Sequence, residues 1–367
     1  MKKIPIGIQA FSSLIKEGFV YLDKTDLIYQ IANTKACYFL LRPRRFGKSL
    51  TLSTLHEYFD GQKELFAGLK IEKLETKWEK YPVLHFDFNT GTYNSVEDVQ
   101  SRINFMLSNY EDTFGRNPHA ASNSERFESL VNTTSAQTGK EVVILVDEYD
   151  KPLLSNLSNT DLQDKIRAEL KAFYGVLKTC DKQIKMAFIT GVTPFCNDNP
   201  FNGVDNLNDI SYSLKFAALC GATENDLLGQ LDEHIRQMAE FNNISKEDCR
   251  AELKKRHGCY KFHEKSECVY NPCSLMMSLA RKETQDFWIE TGTPSFLIKQ
   301  MRKYGTCFKD IDNVECEANL LSRNVDFVIN PFPTLYQCGF LTIKGYNPRF
   351  ETYTLGVPNQ EVRDAIQ

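Results

Sequence analysis

Three residues near the start of the chain, Gly47-Lys48-Ser49, are of the types and in the order that can hold a phosphate chain. A phosphate loop of the form GxxxxGK[ST] turns its backbone N–H groups onto the phosphates. Its lysine reaches the outer phosphates and its hydroxyl binds Mg²⁺. The N-terminus of the following helix adds partial positive charge. Here Arg42 stands where the first glycine belongs, and Pro43 removes one N–H donor. Read alone, the segment could equally be a basic turn that happens to spell Gly-Lys-Ser. The second half of such chemistry lies much later, in Val142–Glu148, where an aliphatic run ends in Asp147 and Glu148. An acid at the tip of the strand neighbouring the loop strand organises Mg²⁺. Asp147 fits that role, and Glu148 fits that of a base polarising the attacking water, worth ~10²–10⁴ in rate. With ATP as substrate and Mg²⁺ as cofactor, the expected nucleotide contacts are Arg44, Arg45, Phe46, Gly47, Lys48, Ser49, Leu50 and Thr190. Lys48, Asp147 and Glu148 are the catalytic set, and Ser49 and Asp147 the metal ligands. For the two loop arginines a salt bridge bracing the loop to a neighbouring acid is the equal alternative, and Arg45, nearer the GKS turn, is expected to be the closer to ligand.

These groups work only if strands and helices carry them to one edge. The short apolar run at 36–41 reads as a buried parallel strand, and Leu52, Leu55 and Phe59 continue at helical spacing until Gly61. Further strands are expected at 82–88, 141–150 and 184–192, the last ending in Thr190 and Gly191. Between them come helices starting near Ser95 and Ser124 and a long amphipathic one through Leu162, Ile166, Leu170, Phe173 and Leu177. Gly18–Asn33 reads as a short strand and then a helix with Thr25 as its N-cap. Strands alternating with helices imply an α/β fold, a parallel sheet with helices on both faces. Asp87, ending its strand, reads as an ordinary strand end. From Thr223 the texture turns helical and charged, to about residue 285, and the remainder ends in a helix leading into a hairpin around GYNPRFE, as in a winged helix.

Composition narrows the partners. The chain has 367 residues, 42% hydrophobic and 25% charged, with a net charge of −4. That size points to two or three domains, and that charge disfavours general coating of nucleic acid. No apolar run approaches the ~18 residues of a membrane span, and polar Gln9, Ser12 and Ser13 interrupt the basic start. The 11 cysteines are scattered, with no CxxC pair, as suits free thiols in a reducing cytoplasm. His257, Cys259, His263, Cys268 and Cys273 crowd into one segment, but their spacing matches no standard zinc finger. Lys254, Lys255 and Arg256 form a basic run that reads as a helix end or, on a DNA-binding module, a nucleic-acid contact. Trp288 reads as packing.

Stretches across nearly the whole chain, in order, carry a resemblance: IPIGIQAF, YLDKTDLIY, LLRPRRFGKSLTLSTLHEYFDG, YPVLHFDF, VVILVDEYDKPLL, FITGVTPF, NLNDIS, AALCGATENDL, VYNPCSL, WIETGTPSFL, LYQCGFLTI and YTLGVPNQEVR. They resemble the AAA-ATPase-like proteins, relatives of STAND-type and archaeal-type AAA+ ATPases. In that family RPRRFGKS is the usual form of the loop. The resemblance implies a P-loop NTPase core (1–222), a helical lid (223–285) and a winged-helix-like module (286–367). It carries Lys48 over as the phosphate-contacting lysine, Ser49 as the Mg²⁺ ligand, Asp147 as the metal-organising acid and Glu148 as the base. A nuclease-like PD-(D/E)xK domain usually follows. The chain stops at Gln367 before one, and no downstream Asp…ExK arrangement is found, so nuclease activity is not assigned to these residues. The expectation is a cytoplasmic ATPase. A switch or scaffold with little turnover, and a DNA-directed module of a nuclease or mobile-element system, are its rivals. A protein partner or DNA on the winged helix, and a homo-oligomer donating an arginine in trans (Arg302 and Arg363 are candidates), complete the partners.

Overall fold

A computed structural model describes residues 1–156, 159–194, 201, 207–288, 311–321 and 330–366. Its centre is a parallel sheet of β1 (Cys37–Leu41), β2 (Val83–Asp87), β3 (Val142–Asp147), β4 (Ile184–Gly191) and β5 (Leu207–Asp209), in the order β2-β3-β4-β1-β5. Every residue of β1 and β3 is buried, as an aliphatic run covered on both faces must be. Side chains alternate between two cores. Tyr38, Leu40, Val143 and Leu145 face one, with α1 (Phe11–Lys16), α2 (Thr25–Ala32) and α3 (Lys48–Phe59). Phe39, Leu41, Val142, Ile144 and Val146 face the other, with α4 (Val96–Phe114), α5 (Asn123–Thr138) and α7 (Thr160–Thr179); α6 (Lys151–Leu154) is a single turn between β3 and α7.

Register brings the strand ends level: Leu40 pairs with Thr190 and Asp87 with Asp147. The loop after β1 and the acids after β3 therefore share one sheet edge, where ligands of parallel sheets bind. One expectation changes. The acid-bearing strand is not the neighbour of the loop strand, because β4 is inserted between them. That insertion is what places Thr190 between the two.

Other departures are local. Gly18–Asp23 forms no strand, only an isolated bridge between Lys3 and Phe19, because it lies outside the sheet with no strand to pair with. Thr25 opens α2 rather than capping it. The cap service comes from Asp23, whose Oδ1 accepts from Thr25 N and Oγ1 at 2.9 and 2.6 Å. α1 and β5 were not anticipated.

After the sheet, α8 (Glu224–Leu228), α9 (Asp232–Phe241), α10 (Lys246–His257) and α11 (Pro272–Arg281) gather around Leu227, Ile235, Leu253 and Leu275. Side chains cap three of their starts: Thr223, Ser245 and Asn271. A half-sealed ion pair, Lys24 to Asp226 at 2.6 Å, ties this bundle to the N-terminal segment. Beyond it, helix Phe332–Gln337 leads into a hairpin of β7 (Thr342–Asn347) and β8 (Thr352–Gly356), with β6 (Val314–Glu317) antiparallel on β8. Its core is not separate: Leu335, Phe340, Ile343 and Leu355 join the cluster that covers one face of the main sheet.

Candidate functional site

The loop reaches α3 through Gly47, whose φ of +96° only glycine adopts without strain. Arg45 is also left-handed, at φ +67°, so the turn is tight on both sides of Phe46. Lys48 is 3% exposed, and its Nζ donates to the carbonyls of Arg42 and Pro43 at 3.1 and 3.3 Å. It also lies 3.5 Å from Glu148 Oε1. The side chain is thus curled back over its own loop, head toward the acid turn.

Across the edge, Asp147 accepts from both sides. Ser49 Oγ donates to Oδ2 at 2.5 Å and Thr190 Oγ1 to Oδ1 at 2.6 Å. Burial pushes its carboxyl up despite those two bonds. Glu148 has φ +53°, an uncommon conformation for a long side chain. Burial works to raise its carboxyl too, but the Lys48 ammonium and then the Arg44 guanidinium outweigh it and hold it below the usual range. The charge of Arg44 acts on the acid turn, and the charge of Arg45 is felt at Cys273 on α11.

A third acid of the turn escaped sequence reading. Asp150 Oδ2 accepts from Val192 N, Thr193 N and Thr193 Oγ1 at 2.9, 2.7 and 3.0 Å. Burial, with the charge of Glu148, pushes it up to about 6. Tyr149 N donates to Thr190 O at 3.0 Å. The Tyr149-Asp150 pair therefore locks the turn after β3 to the turn after β4, and with it Thr190.

The loop and Glu148 border a cavity of about 310 Å³, while Asp147 and Asp150 lie outside its lining. Arg44 to Thr51, Glu148 and Lys151 line one end; Pro5 to Gln9, Val20 to Leu22, Leu219 to Gly221, and Pro272, Cys273, Met276 and Met277 supply most of the remaining wall. Thr190 stands behind Asp147, fully buried, and is not part of that wall. The ring of Phe46 also turns away, packing edge-on against Tyr260 at 4.9 Å, so it is the backbone of Phe46 that borders the cavity. The N-terminal segment, Asn89 and the start of α11 carried no chemical signal in the sequence.

Several other candidates are placed elsewhere. Asp87 accepts from Asn89 N at 2.7 Å, an ordinary turn at a strand end. Arg363 pairs with Asp312 at 2.7 Å, and Arg302 lies outside the described residues. His257 is hydrogen-bonded to Glu361 and Ser278. Among the described residues no three His, Cys, Asp or Glu side chains come together to hold a metal ion. Cys259 and Cys268 are hydrogen-bonded to each other; that bond and nearby Lys344 and Lys254 outweigh burial and bring Cys259 down to about 6. Two of the three residues of the basic run are spent on acids: Lys254 on Glu224, and Arg256 on Asp286 and Asp364. Trp288 is fully buried, edge-on to Phe340 at 5.1 Å, in the core that covers one face of the main sheet. No described helix is long and apolar enough to cross a membrane.

Comparison with known proteins decides the family. The model of the family described as "Predicted AAA-ATPase" matches residues 5–201, which holds the loop, the acid turn and β4. The chain belongs to the predicted AAA-ATPase family. A relative in Azotobacter chroococcum mcd 1, named as an uncharacterized protein in the vnfD 5′ region, is 35% identical over 372 residues. That match spans 100% of this chain and 69% of the relative. Among solved structures, the Aeropyrum pernix ORC2 protein in its ADPNP–ADP complexes is similar over 97% of this chain and 93% of its own. Its identity is 10% and its TM-score 0.30. Family membership makes this AAA-ATPase-like chain a predicted ATPase at the level of the family.

Proposed function

We propose that this AAA-ATPase-like protein binds ATP in the cavity at the sheet edge and hydrolyses it slowly, as a nucleotide switch. The observation that carries the reading is the convergence on one cavity wall of Lys48, Arg44, the N-terminus of α3 and Glu148, with Ser49 and Asp147 joined beside them. The triphosphate lies along Arg44–Leu50, its negative charge met by Lys48, by the loop amides and by the arginines. Leu50 contributes backbone, and Arg45 lines the mouth on the side of α11. The base lies between the N-terminal segment around Ile6 and Ile8 and the lid residues Met276 and Met277, an apolar slot that suits a purine face.

Ser49 and Asp147 fit Mg²⁺. They set two hard oxygen donors side by side, few enough to leave room for phosphate oxygens and water, as Mg²⁺ prefers. A buried carboxyl whose ionisation is opposed by burial is also one that a cation would relieve. When bound, the ion supplies charge neutralisation along the phosphates. Thr190 orients Asp147. Glu148, held ionised by Lys48 and Arg44, takes the proton of the attacking water, and Lys48 then stabilises the charge on the transferred phosphoryl oxygens.

In the structure Glu148 is engaged by Lys48 and strained in its backbone. Base and phosphate compete for one ammonium, which favours slow turnover over a rapid cycle. The division into core (1–222), lid (223–285) and C-terminal module (286–367) belongs to the same reading, with the lid closing over the base. Calorimetric titration with ATP and Mg²⁺ tests it: Lys48→Ala is expected to lose binding, and retention of wild-type affinity in that variant would sink the proposal.

A further inference from the structure

The first half of the loop faces away from the cavity, and what it touches is specific. Arg42 is 1% exposed, and the charge of Asp209 reaches it, but among the described residues no ion pair holds it. Instead its guanidinium donates to three carbonyls: Leu41 and Ser211 at 2.8 and 2.7 Å through Nη1, and Phe216 at 3.3 Å through Nη2. Its face lies 4.0 Å from the ring centre of Phe262. Its own N–H donates to Gly191 O at 3.2 Å, and Leu41 N donates to Ser211 Oγ at 2.8 Å.

The neighbours repeat the pattern. Phe46 packs edge-on against both Tyr260 and Phe262. Pro43 lies so close to Gly339 that a Cβ there would come within 2.9 Å of Pro43 Cβ. Gly339 has φ +87° as well, so only glycine fits. The back of the loop is therefore clamped by three separate stretches: 211–216 after β5, 260–262 between α10 and α11, and the turn before β7.

Burying a guanidinium without a carboxylate is costly, and only its planar fork reaches carbonyls of two segments while stacking on a ring. A hydrophobic side chain would leave those carbonyls without donors. The carbonyl of Arg42 is also the acceptor that holds Lys48 Nζ. We infer that Arg42 is the positioning residue of the phosphate loop: by fastening the loop to 211–216 and to Phe262 it sets the backbone on which Lys48 rests, in place of the glycine that usually opens such a loop. The inference rests on the nucleotide reading above. It makes the lid segment 260–262 part of the site from behind.

The test uses the full chain and ADP with Mg²⁺ as the probe. Arg42→Lys keeps the charge and loses the fork and the stack; its dissociation constant is expected to rise about tenfold or more, the equivalent of one charge-assisted hydrogen bond. Phe262→Leu, which touches no phosphate, is expected to weaken ADP by roughly two- to fivefold, the worth of a cation–π contact. Phe262→Tyr is expected to restore it. If both Arg42→Lys and Phe262→Leu fold and bind ADP like wild type, the inference is overturned, whatever their melting temperatures, since a purely structural brace would shift melting alone. Where Arg42→Lys does not fold, the Leu and Tyr variants at 262 decide: loss and rescue sustain the role, equal affinity removes it. Wild-type protein that binds neither ADP nor ATP would instead overturn the nucleotide reading, and this inference with it.

Discussion

Two glutamates in this chain each meet a nitrogen-bearing side chain in a confined place, and the molecule treats them in opposite ways. Glu361 is fully buried and completely used. Its Oε2 is bonded to His257 Nδ1 at 2.9 Å, and its Oε1 accepts from Ser274 Oγ and Trp288 N at 3.0 and 2.7 Å. The other ring nitrogen of His257 reaches Ser278 Oγ at 2.7 Å. In order, serine, histidine and glutamate spell a hydrolytic relay, but each is fully buried and none lines the cavity. Glu148 instead stands at the cavity wall, 14% exposed, 3.5 Å from Lys48 and in a left-handed backbone conformation. A satisfied network fixes a structure. A strained pair with room beside it is what a site holds in reserve.

The largest effect expected from breaking this contrast is on turnover. Glu148→Gln keeps the shape and removes the base, so hydrolysis should fall ~10²–10⁴-fold while ATP binding persists. Single-turnover hydrolysis beside calorimetry checks it, and an unchanged rate would remove the base from Glu148. Next comes the sealed pair. Glu361→Ala strands His257, Ser274 and Trp288 N at once and should cost about 3–5 kcal/mol of stability, read as a lower denaturant midpoint at unchanged slope. A loss below about 1 kcal/mol would mean that the network is not the anchor its geometry implies. Smaller again is Ser278→Ala, which leaves one ring nitrogen of His257 bare, at about 1–3 kcal/mol. Neither of the last two should alter ADP affinity in folded protein.

The same contrast explains what the sequence disclosed. The strands were legible because Val142–Val146 is an unbroken aliphatic run buried on both faces, a pattern few other elements produce. The edge strand β5 was not, since Leu207-Asn208-Asp209 is short, polar and half exposed. Nor was α1, too short to show helical spacing. A candidate site was legible where residue type limits the role, as in Gly47-Lys48-Ser49. It was illegible where direction decides: nothing in Asp147-Glu148-Tyr149-Asp150 says which acid turns back to hold Val192 and Thr193. Arg42 is the sharpest case. In sequence it interrupts a phosphate loop, and in the fold its side chain points the other way.

The smallest effect sharpens the comparison most, because it reads the Lys48–Glu148 pair without removing either member. Lys48 and Arg44 together hold the Glu148 carboxyl below the usual range against burial. A base acts when ionised, so the contribution of Glu148 to kcat/KM should persist as pH falls through the ordinary glutamate value of about 4.3, any earlier decline belonging to Asp147 and Asp150, whose carboxyls burial pushes up. Arg44→Gln removes one of the three charges that act on Glu148, the third being that of Lys151. The carboxyl then holds its proton more tightly, and the acid limb should move upward by a fraction of a pH unit, stopped there by the Lys48 that remains. Ser278→Ala should leave the limb where it is, because the sealed network and the cavity share no group. An acid limb that does not move in Arg44→Gln would mean that Arg44 does not act on the base, and that Lys48 and Lys151 set its ionisation.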